Sequence, residues 1–100
     1  MKFLVIARPR PVVQQGLTSE MLQSALDHVN RQLKGGILDC IYSFADGSGS
    51  VGIANADSGE ALAEALESPA APFILFEAHP LTDFNKRVGN VIANLKRQGL

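Results

Sequence analysis

The sequence lacks the features of several protein classes. Its 100 residues include no tryptophan and a single cysteine, Cys40, which excludes an intramolecular disulfide framework and indicates a reducing compartment. The apolar run at residues 3–7 stops at Arg8, so it is shorter than the apolar core of a secretory signal. No run approaches the roughly 18 apolar residues of a membrane span. We therefore expect a soluble, cytoplasmic protein.

Lysine and arginine are absent from the middle of the chain. The formal net charge of -1 argues against a nucleic-acid or membrane partner, because both usually require a concentrated basic face. Residues 35–85 contain eight acids and no Lys or Arg, so all nine basic residues lie in the two ends. We expect folding to bring these ends over the acidic middle, within one chain or between two.

Apolar spacing in the first part of the chain predicts a strand and then a helix. Residues 3–7 are rich in β-branched side chains and predict a buried strand, and the segment Arg8-Pro9-Arg10-Pro11 predicts an extended loop. From Thr18 the period becomes helical, with a cap at Thr18 or Ser19 and an end at Gly35-Gly36. The predicted buried stripe of this helix consists of Leu22, Ala25, Leu26, Val29 and Leu33.

The second part predicts a hairpin, a short helix, a strand and a final helix. Residues 37–44 alternate, with the more apolar face formed by even-numbered residues, and Asp46-Gly47-Ser48-Gly49 is typical of the turn into a strand at 51–54. Asp57 and Glu60 have the spacing of a helix-capping pair. A strand follows Pro69 and Pro72, and its Ile74 and Phe76 are predicted to face the helices. The final helix carries an apolar stripe of Phe84, Val88, Val91, Ile92 and Leu95.

This order predicts an α+β, ferredoxin-like βαββαβ domain over residues 1–81. Residues 82–100 form an additional C-terminal amphipathic helix that packs on the same domain or on its partner. Two helices can cover only one face of a four-stranded sheet, and the other face is expected to carry Phe73 and Leu75 with Glu77 and His79. Since an exposed apolar face usually requires a partner, we expect a homodimer that packs sheet against sheet.

Two motifs favour structural roles. The first is a match to the G-x-G-x-x-G motif at Gly47-Ser48-Gly49-Ser50-Val51-Gly52. A dinucleotide site needs a helix N-terminus directly after this motif, whereas here a strand follows. A hairpin turn is therefore favoured. A metal site is not favoured, because it needs three or four converging ligands and the chain offers only His28, His79 and Cys40, with carboxylates at no recognisable spacing. His28 is interpreted as a surface residue.

Glu77 and His79 are the candidate catalytic residues. Two positions apart on a strand, they project from one face, and in an enclosed cavity a carboxylate and an imidazole could act as general base and general acid. The structural alternative places His79 at the strand rim and pairs Glu77 with Arg8. Tyr42 could add a hydroxyl group to the same cavity, or simply pack.

Two further residues are candidates for substrate binding. Arg8 could receive an anionic group of a ligand, or lie in a solvated loop. Cys40 lies on the apolar face of its strand, where it is expected to pack as a small hydrophobic side chain rather than to react.

Three features of the chain occur together in one known family: the element order, the segment 55–62, and above all Pro69-Ala70-Ala71-Pro72-Phe73 with Phe76-Glu77-Ala78-His79-Pro80-Leu81. In these features the sequence resembles the muconolactone isomerase-like family. The resemblance spans roughly residues 1–81 and implies a dimeric α+β barrel, often assembled into larger rings. It also implies a cofactor-free isomerase that moves a proton between carbons of an unsaturated lactone. Glu77 falls where the family has a glutamate on its fourth strand, whereas the aromatic-arginine pair of the second strand is replaced by Tyr42-Ser43.

The expected function is therefore binding of a small unsaturated or aromatic carbonyl compound, with a double-bond shift if the protein is catalytic. Glu77 would be the base, and His79 or Tyr42 the proton donor. Two alternatives remain open at this point: a non-catalytic small-molecule-binding or assembly module on the same fold, and a cofactor-free monooxygenase.

Overall fold

A computed structural model describes residues 1–10 and 16–100. These residues form a ferredoxin-like βαββαβ unit followed by one more helix, which confirms the predicted fold class and order. Pro11 of the predicted loop lies outside the described residues. The elements are β1 (Lys2–Pro9), α1 (Ser19–Gly35), β2 (Leu38–Ser43), β3 (Ser50–Asn55), α2 (Gly59–Ala65), a 3-10 helix (Ala71–Phe73), β4 (Ile74–Leu81) and α3 (Phe84–Arg97).

The four strands form one antiparallel sheet in the order β2-β3-β1-β4. Because side chains alternate along a strand, the sheet has two faces. Phe3 and Val5 of β1 are buried on the face that α1 and α2 cover, which we call the helix face. Leu4 and Ile6 point to the opposite, open face. The register puts three functional candidates, Tyr42, Glu77 and His79, on this open face.

β1 is longer than the sequence pattern predicts. β4 has eight residues and pairs along the whole of β1, so that Arg8 lies opposite Leu75 and Pro9 opposite Ile74. The prediction that the chain leaves the sheet at Arg8 is therefore wrong, since a neighbouring strand supplies hydrogen-bond partners that local composition does not reveal. Phe73 also differs from its predicted place in the strand, because it closes the 3-10 helix.

A β-bulge changes the faces of β2. Leu38 pairs with Ala54 and Cys40 pairs with Ile53, so Asp39 is the extra residue. Leu38 is consequently buried on the helix face, while Cys40 and Tyr42 turn to the open face. The predicted simple alternation of this strand is wrong at that point.

The packing face of α1 is rotated away from its leucine stripe. Leu22 and Leu26 are 52% and 53% exposed, whereas Gln32 is only 6% exposed. His28 is half-buried next to it, and both side chains reach the carbonyl of Ala65 at the end of α2. Because these polar contacts fix the rotation of α1, the predicted burial of its leucines is wrong for the isolated chain.

Side-chain caps set the starts of the helices. The Thr18 hydroxyl accepts a hydrogen bond from the Met21 amide at 3.1 Å, which confirms one of the two predicted caps of α1, and Gly36 ends that helix at φ 80°. The cap of α2 is Ser58, whose hydroxyl accepts from the Ala61 amide at 3.1 Å. The predicted Asp57–Glu60 pair is therefore wrong by one residue.

Gly47–Gly52 forms the β2–β3 turn and the start of β3, as the hairpin interpretation predicts. The Phe44 amide donates to the Gly49 carbonyl at 2.8 Å, and the Gly47 amide donates to the Phe44 carbonyl at 3.0 Å. The segment leads directly into β3 and not into a helix, so its glycines shape the backbone of a hairpin.

α3 extends away from the body of the protein. The side chain of Asp83 caps its first turn, and every residue from Phe84 to Arg97 is exposed. The radius of gyration is 17.3 Å, well above the roughly 13 Å of a compact domain of this length. None of the helices in the described ranges has the length and apolarity needed to cross a membrane.

Candidate functional site

Glu77 and His79 contact each other on the open face of β4. His79 Nε2 lies 3.2 Å from Glu77 Oε2, and the two side chains are 55% and 60% exposed, respectively. The alternation of an eight-residue strand places both on one face, as predicted from their spacing of two. Among the residues that the structure describes, the partner of the Glu77 carboxylate is thus His79 rather than Arg8.

This pair has the components of a proton-transfer site. A carboxylate can accept a proton from an acidic carbon, and an adjacent imidazole can hold the carboxylate in place or deliver a proton. Such chemistry is efficient where water is excluded. Because both side chains are more than half exposed in a single chain, the enclosure would have to come from a surface that covers the open face.

Tyr42 lies in the same sheet row as Glu77 but at the opposite edge. Tyr42 pairs with Val51, Val51 with Ile6, and Ile6 with Glu77. Three strand spacings separate the backbone at Tyr42 from the backbone at Glu77, a distance of roughly 14 Å. A single chain therefore does not bring the Tyr42 hydroxyl group to the Glu77 carboxylate.

Cys40 is also remote from the pair. It occupies the row that runs through Ile53 and Leu4 to His79, again across the full width of the sheet. Its side chain is half-buried and forms no disulfide. Cys40 contributes to the apolar character of the open face, and it lies at the Tyr42 edge rather than beside Glu77.

Of the predicted site residues on the other strands, Arg8 is the closest in register to Glu77. It lies opposite Leu75, so Glu77 is its diagonal neighbour across the β1–β4 ladder. Arg8 and Glu77 line the same shallow depression of about 180 Å³ together with Ile6, Leu75 and Phe76. A ligand anion could therefore meet the Arg8 guanidinium group while another part of the molecule reaches Glu77.

A second concave site lies on the helix face. This cavity of about 120 Å³ is bounded by the sheet, by α1, and by the segment that joins α2 to β4. Its wall is mainly apolar, and the polar side chains of His28 and Gln32 contribute to it. The apolar part of the wall includes Val5, Ala25, Val29, Ile41, Leu66, Ile74 and Phe76.

His28 and Gln32 are the residues that sequence reasoning missed. The Ala65 carbonyl accepts from Gln32 Nε2 and lies 3.0 Å from His28 Nε2, which fits the imidazole tautomer with the proton on that nitrogen. The interpretation of His28 as a surface residue is wrong. The available signal was their spacing of four on a helix, which puts two hydrogen-bonding side chains on one face beside the apolar stripe.

Two aspartates outside both sites have a lowered pKa. Hydrogen bonds from Lys2 and then Asn55 lower the pKa of Asp39, and hydrogen bonds from Ser48 lower the pKa of Asp46 in the hairpin turn. Within residues 1–10 and 16–100, no three His, Cys, Asp or Glu side chains converge in a way that could hold a metal ion.

The architecture is similar to that of a known enzyme. No protein-family model and no curated protein matches the sequence. Among solved structures, the crystal structure of muconolactone isomerase at 3.3 Å resolution matches with a TM-score of 0.71 and 20% identity, covering 83% of this chain and 90% of that one. The resemblance found in the sequence is thereby confirmed at the level of the fold: this chain has a muconolactone isomerase-like, ferredoxin-like fold.

Proposed function

We propose that this protein binds a small unsaturated or aromatic carbonyl compound and shifts a double bond in it by moving a proton between two carbons. The observation that carries the proposal is the Glu77–His79 pair, which provides a carboxylate 3.2 Å from an imidazole on a sheet face whose centre is apolar. Similarity in fold to muconolactone isomerase supports the reaction class. In this proposal the working unit is a cytoplasmic homodimer.

The dimer matters to the chemistry because the open face must be covered. Its central residues Leu4, Ile6, Val51 and Ile53 are half-buried in one chain, and Tyr42 and Leu75 are 69% and 47% exposed. Packing two such faces together would remove apolar surface from water and enclose Glu77. In a two-fold arrangement, Tyr42 of the second copy can approach a Glu77 that its own Tyr42 cannot reach.

The proposed reaction requires no net redox change. Glu77 removes a proton from a carbon next to the carbonyl group, and the electron pair of that C–H bond is delocalised into the carbonyl and the adjacent double bond. The protonated Glu77 then returns the proton to the far carbon of the conjugated system, or His79 donates a proton there and takes the Glu77 proton in exchange, so that both groups are restored. Arg8 pairs with an anionic substituent and fixes which carbon faces the base.

Exchange with solvent deuterium tests this proposal directly. Muconolactone, or a simpler unsaturated lactone, is incubated with the protein in D2O, and deuterium in the recovered lactone is measured by NMR. Replacing Glu77 by Gln removes the base and should lower the exchange rate by about 10²–10⁴-fold. The matched control Glu67→Gln changes an exposed carboxylate of the same type elsewhere.

The control should exchange at the wild-type rate, and both variants should retain the wild-type molecular mass. Exchange that persists unchanged in Glu77→Gln would remove Glu77 from the mechanism. Exchange lost equally in both variants would show that the effect has nothing to do with the site.

The helix-face cavity favours a second candidate, a non-catalytic binding module. A mainly apolar wall with a few polar side chains is typical of a small-molecule site, and a volume of about 120 Å³ limits the ligand to roughly one ring. Ala25→Leu would fill this space and should weaken binding of a small aromatic ketone in calorimetry at least tenfold. Ala63→Leu adds the same atoms at an exposed position of α2 and should leave binding unchanged. Equal affinity in both variants would exclude the cavity as the site.

A further inference from the structure

The helix-face cavity has a polar corner that two side chains of α1 form. His28 and Gln32 are four residues apart, so they lie on one side of the helix, and both border the cavity. Both also reach the carbonyl of Ala65, the last residue of α2. The segments that carry the family resemblance are 55–62 and 69–81, so the resemblance does not predict the chemistry of this corner.

The Ala65 carbonyl determines which atom of His28 remains for a ligand. A carbonyl oxygen can only accept hydrogen bonds, so His28 Nε2, which lies 3.0 Å from it, carries the ring proton of the neutral imidazole. The other ring nitrogen, Nδ1, then has a lone pair and no proton. Gln32 donates to the same carbonyl and supports this arrangement from one turn further along α1. The corner therefore offers a ligand an acceptor of hydrogen bonds.

His28 Nδ1 is not used within the described part of the chain. The contact with Ala65 is the only hydrogen bond that the His28 side chain makes to a described residue. No side-chain nitrogen or oxygen in that part of the chain is both inaccessible and without a partner, so Nδ1 is accessible. Gln32 is only 6% exposed, whereas His28 is half-buried, so a ligand in the cavity has more access to His28 than to Gln32.

The remainder of the cavity wall fits a small ring without a charge. Among the described residues that border the cavity there is no Asp, Glu, Lys or Arg, so an ionised ligand would lose its hydration and gain no partner of opposite charge. Most of the wall is apolar, and about 120 Å³ accommodates roughly one ring. Ser50 and Ser68 add hydroxyl groups that can donate or accept. The complementary ligand is an uncharged ring that carries a hydrogen-bond donor.

We propose that the helix-face cavity binds a phenol, whose ring lies against the apolar wall and whose hydroxyl group donates a hydrogen bond to His28 Nδ1. A phenol brings a donor without a charge, because its hydroxyl group, like that of tyrosine, stays protonated at neutral pH. The ligand needs this hydroxyl group whether or not it also carries a carbonyl group. The inference rests on the second candidate function and narrows its ligand class, but it does not involve Glu77.

Phenol and toluene together test the proposal. The two molecules have the same ring and the same number of non-hydrogen atoms, and they differ only in a hydroxyl or a methyl group. Each is titrated at neutral pH into the full-length chain and into His28→Phe, which keeps a ring at position 28 and removes both nitrogens. His28→Phe should weaken phenol binding about fivefold or more, the effect of roughly one net hydrogen bond, and should leave toluene binding within about twofold. The exposed position 30 of the same helix supplies the control Asn30→Phe, which should change neither affinity.

Toluene controls for damage to the fold, because a distorted cavity would lose both ligands. If His28→Phe changes the two affinities by the same factor, the hydroxyl group does not bind His28 and the proposal is overturned, while the second candidate function stands. If the wild type binds neither molecule, the helix-face cavity is not a site and both proposals fail.

Nitrogen NMR gives a direct readout of the proposed hydrogen bond. The chain has two histidines, so comparison with His28→Phe assigns the ring signals of His28. Phenol should shift the Nδ1 signal upfield, as expected when an unprotonated nitrogen accepts a hydrogen bond, and toluene should not. The ring signals of His79 should stay in place with both ligands. An Nδ1 signal that does not respond to phenol, or that moves equally with toluene, would refute the assignment.

Discussion

Gly49 should be the most sensitive glycine of the hairpin, because it brings two backbones together. Its φ is 151°, and a Cβ atom built there would lie 2.1 Å from the Ala7 carbonyl oxygen of β1. The oxygen belongs to the backbone of a central strand, so it cannot swing away as the end of a side chain could. Gly49→Ala therefore requires the start of β3 to move away from β1 by about 1 Å, judged against normal packing distances.

The cost of that substitution has two parts. Overpacking that shifts the backbone costs about 1–3 kcal/mol, and a side chain in a sparsely populated backbone conformation costs about 1–3 kcal/mol. We expect Gly49→Ala to lower the free energy of unfolding by about 2–6 kcal/mol, a large part of the 5–15 kcal/mol that is typical of a domain. The same turn supplies a control in Gly47, whose φ is 78° and whose added Cβ would meet nothing within 4 Å. Gly47→Ala should cost only the left-handed backbone penalty of about 1–2 kcal/mol.

Urea denaturation followed by circular dichroism measures both variants. Each kcal/mol corresponds to a midpoint shift of about 0.3–1 M, since slopes for small proteins are about 1–3 kcal/mol per molar urea. All samples are compared at one protein concentration, because association would make the midpoint depend on it. If the Gly49→Ala variant is as stable as the Gly47→Ala variant, the close approach of the turn to β1 is not the reason why position 49 requires glycine.

Two further perturbations probe the core and the edge of the sheet. Leu62 is 2% exposed and packs against Phe3 and Val5, so Leu62→Ala should lower the free energy of unfolding by about 2–4 kcal/mol in the same urea assay. Leu26→Ala, on the exposed side of α1, should change it by less than about 1 kcal/mol. Equal losses in the two variants would contradict the described core. Hydrogen bonds from Lys2 and Asn55 lower the pKa of Asp39 from its usual 3.8, so their stabilisation is present above that pH and is lost as the pH falls through the lowered pKa. Lys2→Met should therefore flatten the acid side of the stability profile measured below about pH 4, and an unchanged profile would exclude the pair as its cause.

Local chemistry in the sequence predicted much of the fold. Apolar runs and periodicity predicted the order of the four strands and three α-helices, Thr18 and Gly36 marked the limits of α1, and the Gly47–Gly52 segment was recognised as a turn because a strand follows it. The spacing of Glu77 and His79 was sufficient to put them on one face, since a strand has a period of two. These features depend on neighbours in sequence, so the sequence alone could define them.

Other features depend on contacts between distant segments. The bulge at Asp39, the extension of β1 to Pro9 and the rotation of α1 toward Ala65 all arise from pairing partners that lie far along the chain. The same holds for the distance between Tyr42 and Glu77, which is set by strand order rather than by either residue.

By itself, the sequence determined a ferredoxin-like βαββαβ order, a carboxylate and an imidazole on one strand face, and an amphipathic C-terminal helix. Only the tertiary structure decided that Glu77 pairs with His79, that His28 and Gln32 line a helix-face cavity, and that α3 leaves its apolar side uncovered. The physical reason is that backbone periodicity is a local property, whereas strand order, helix rotation and burial are fixed by packing between segments that are distant in sequence.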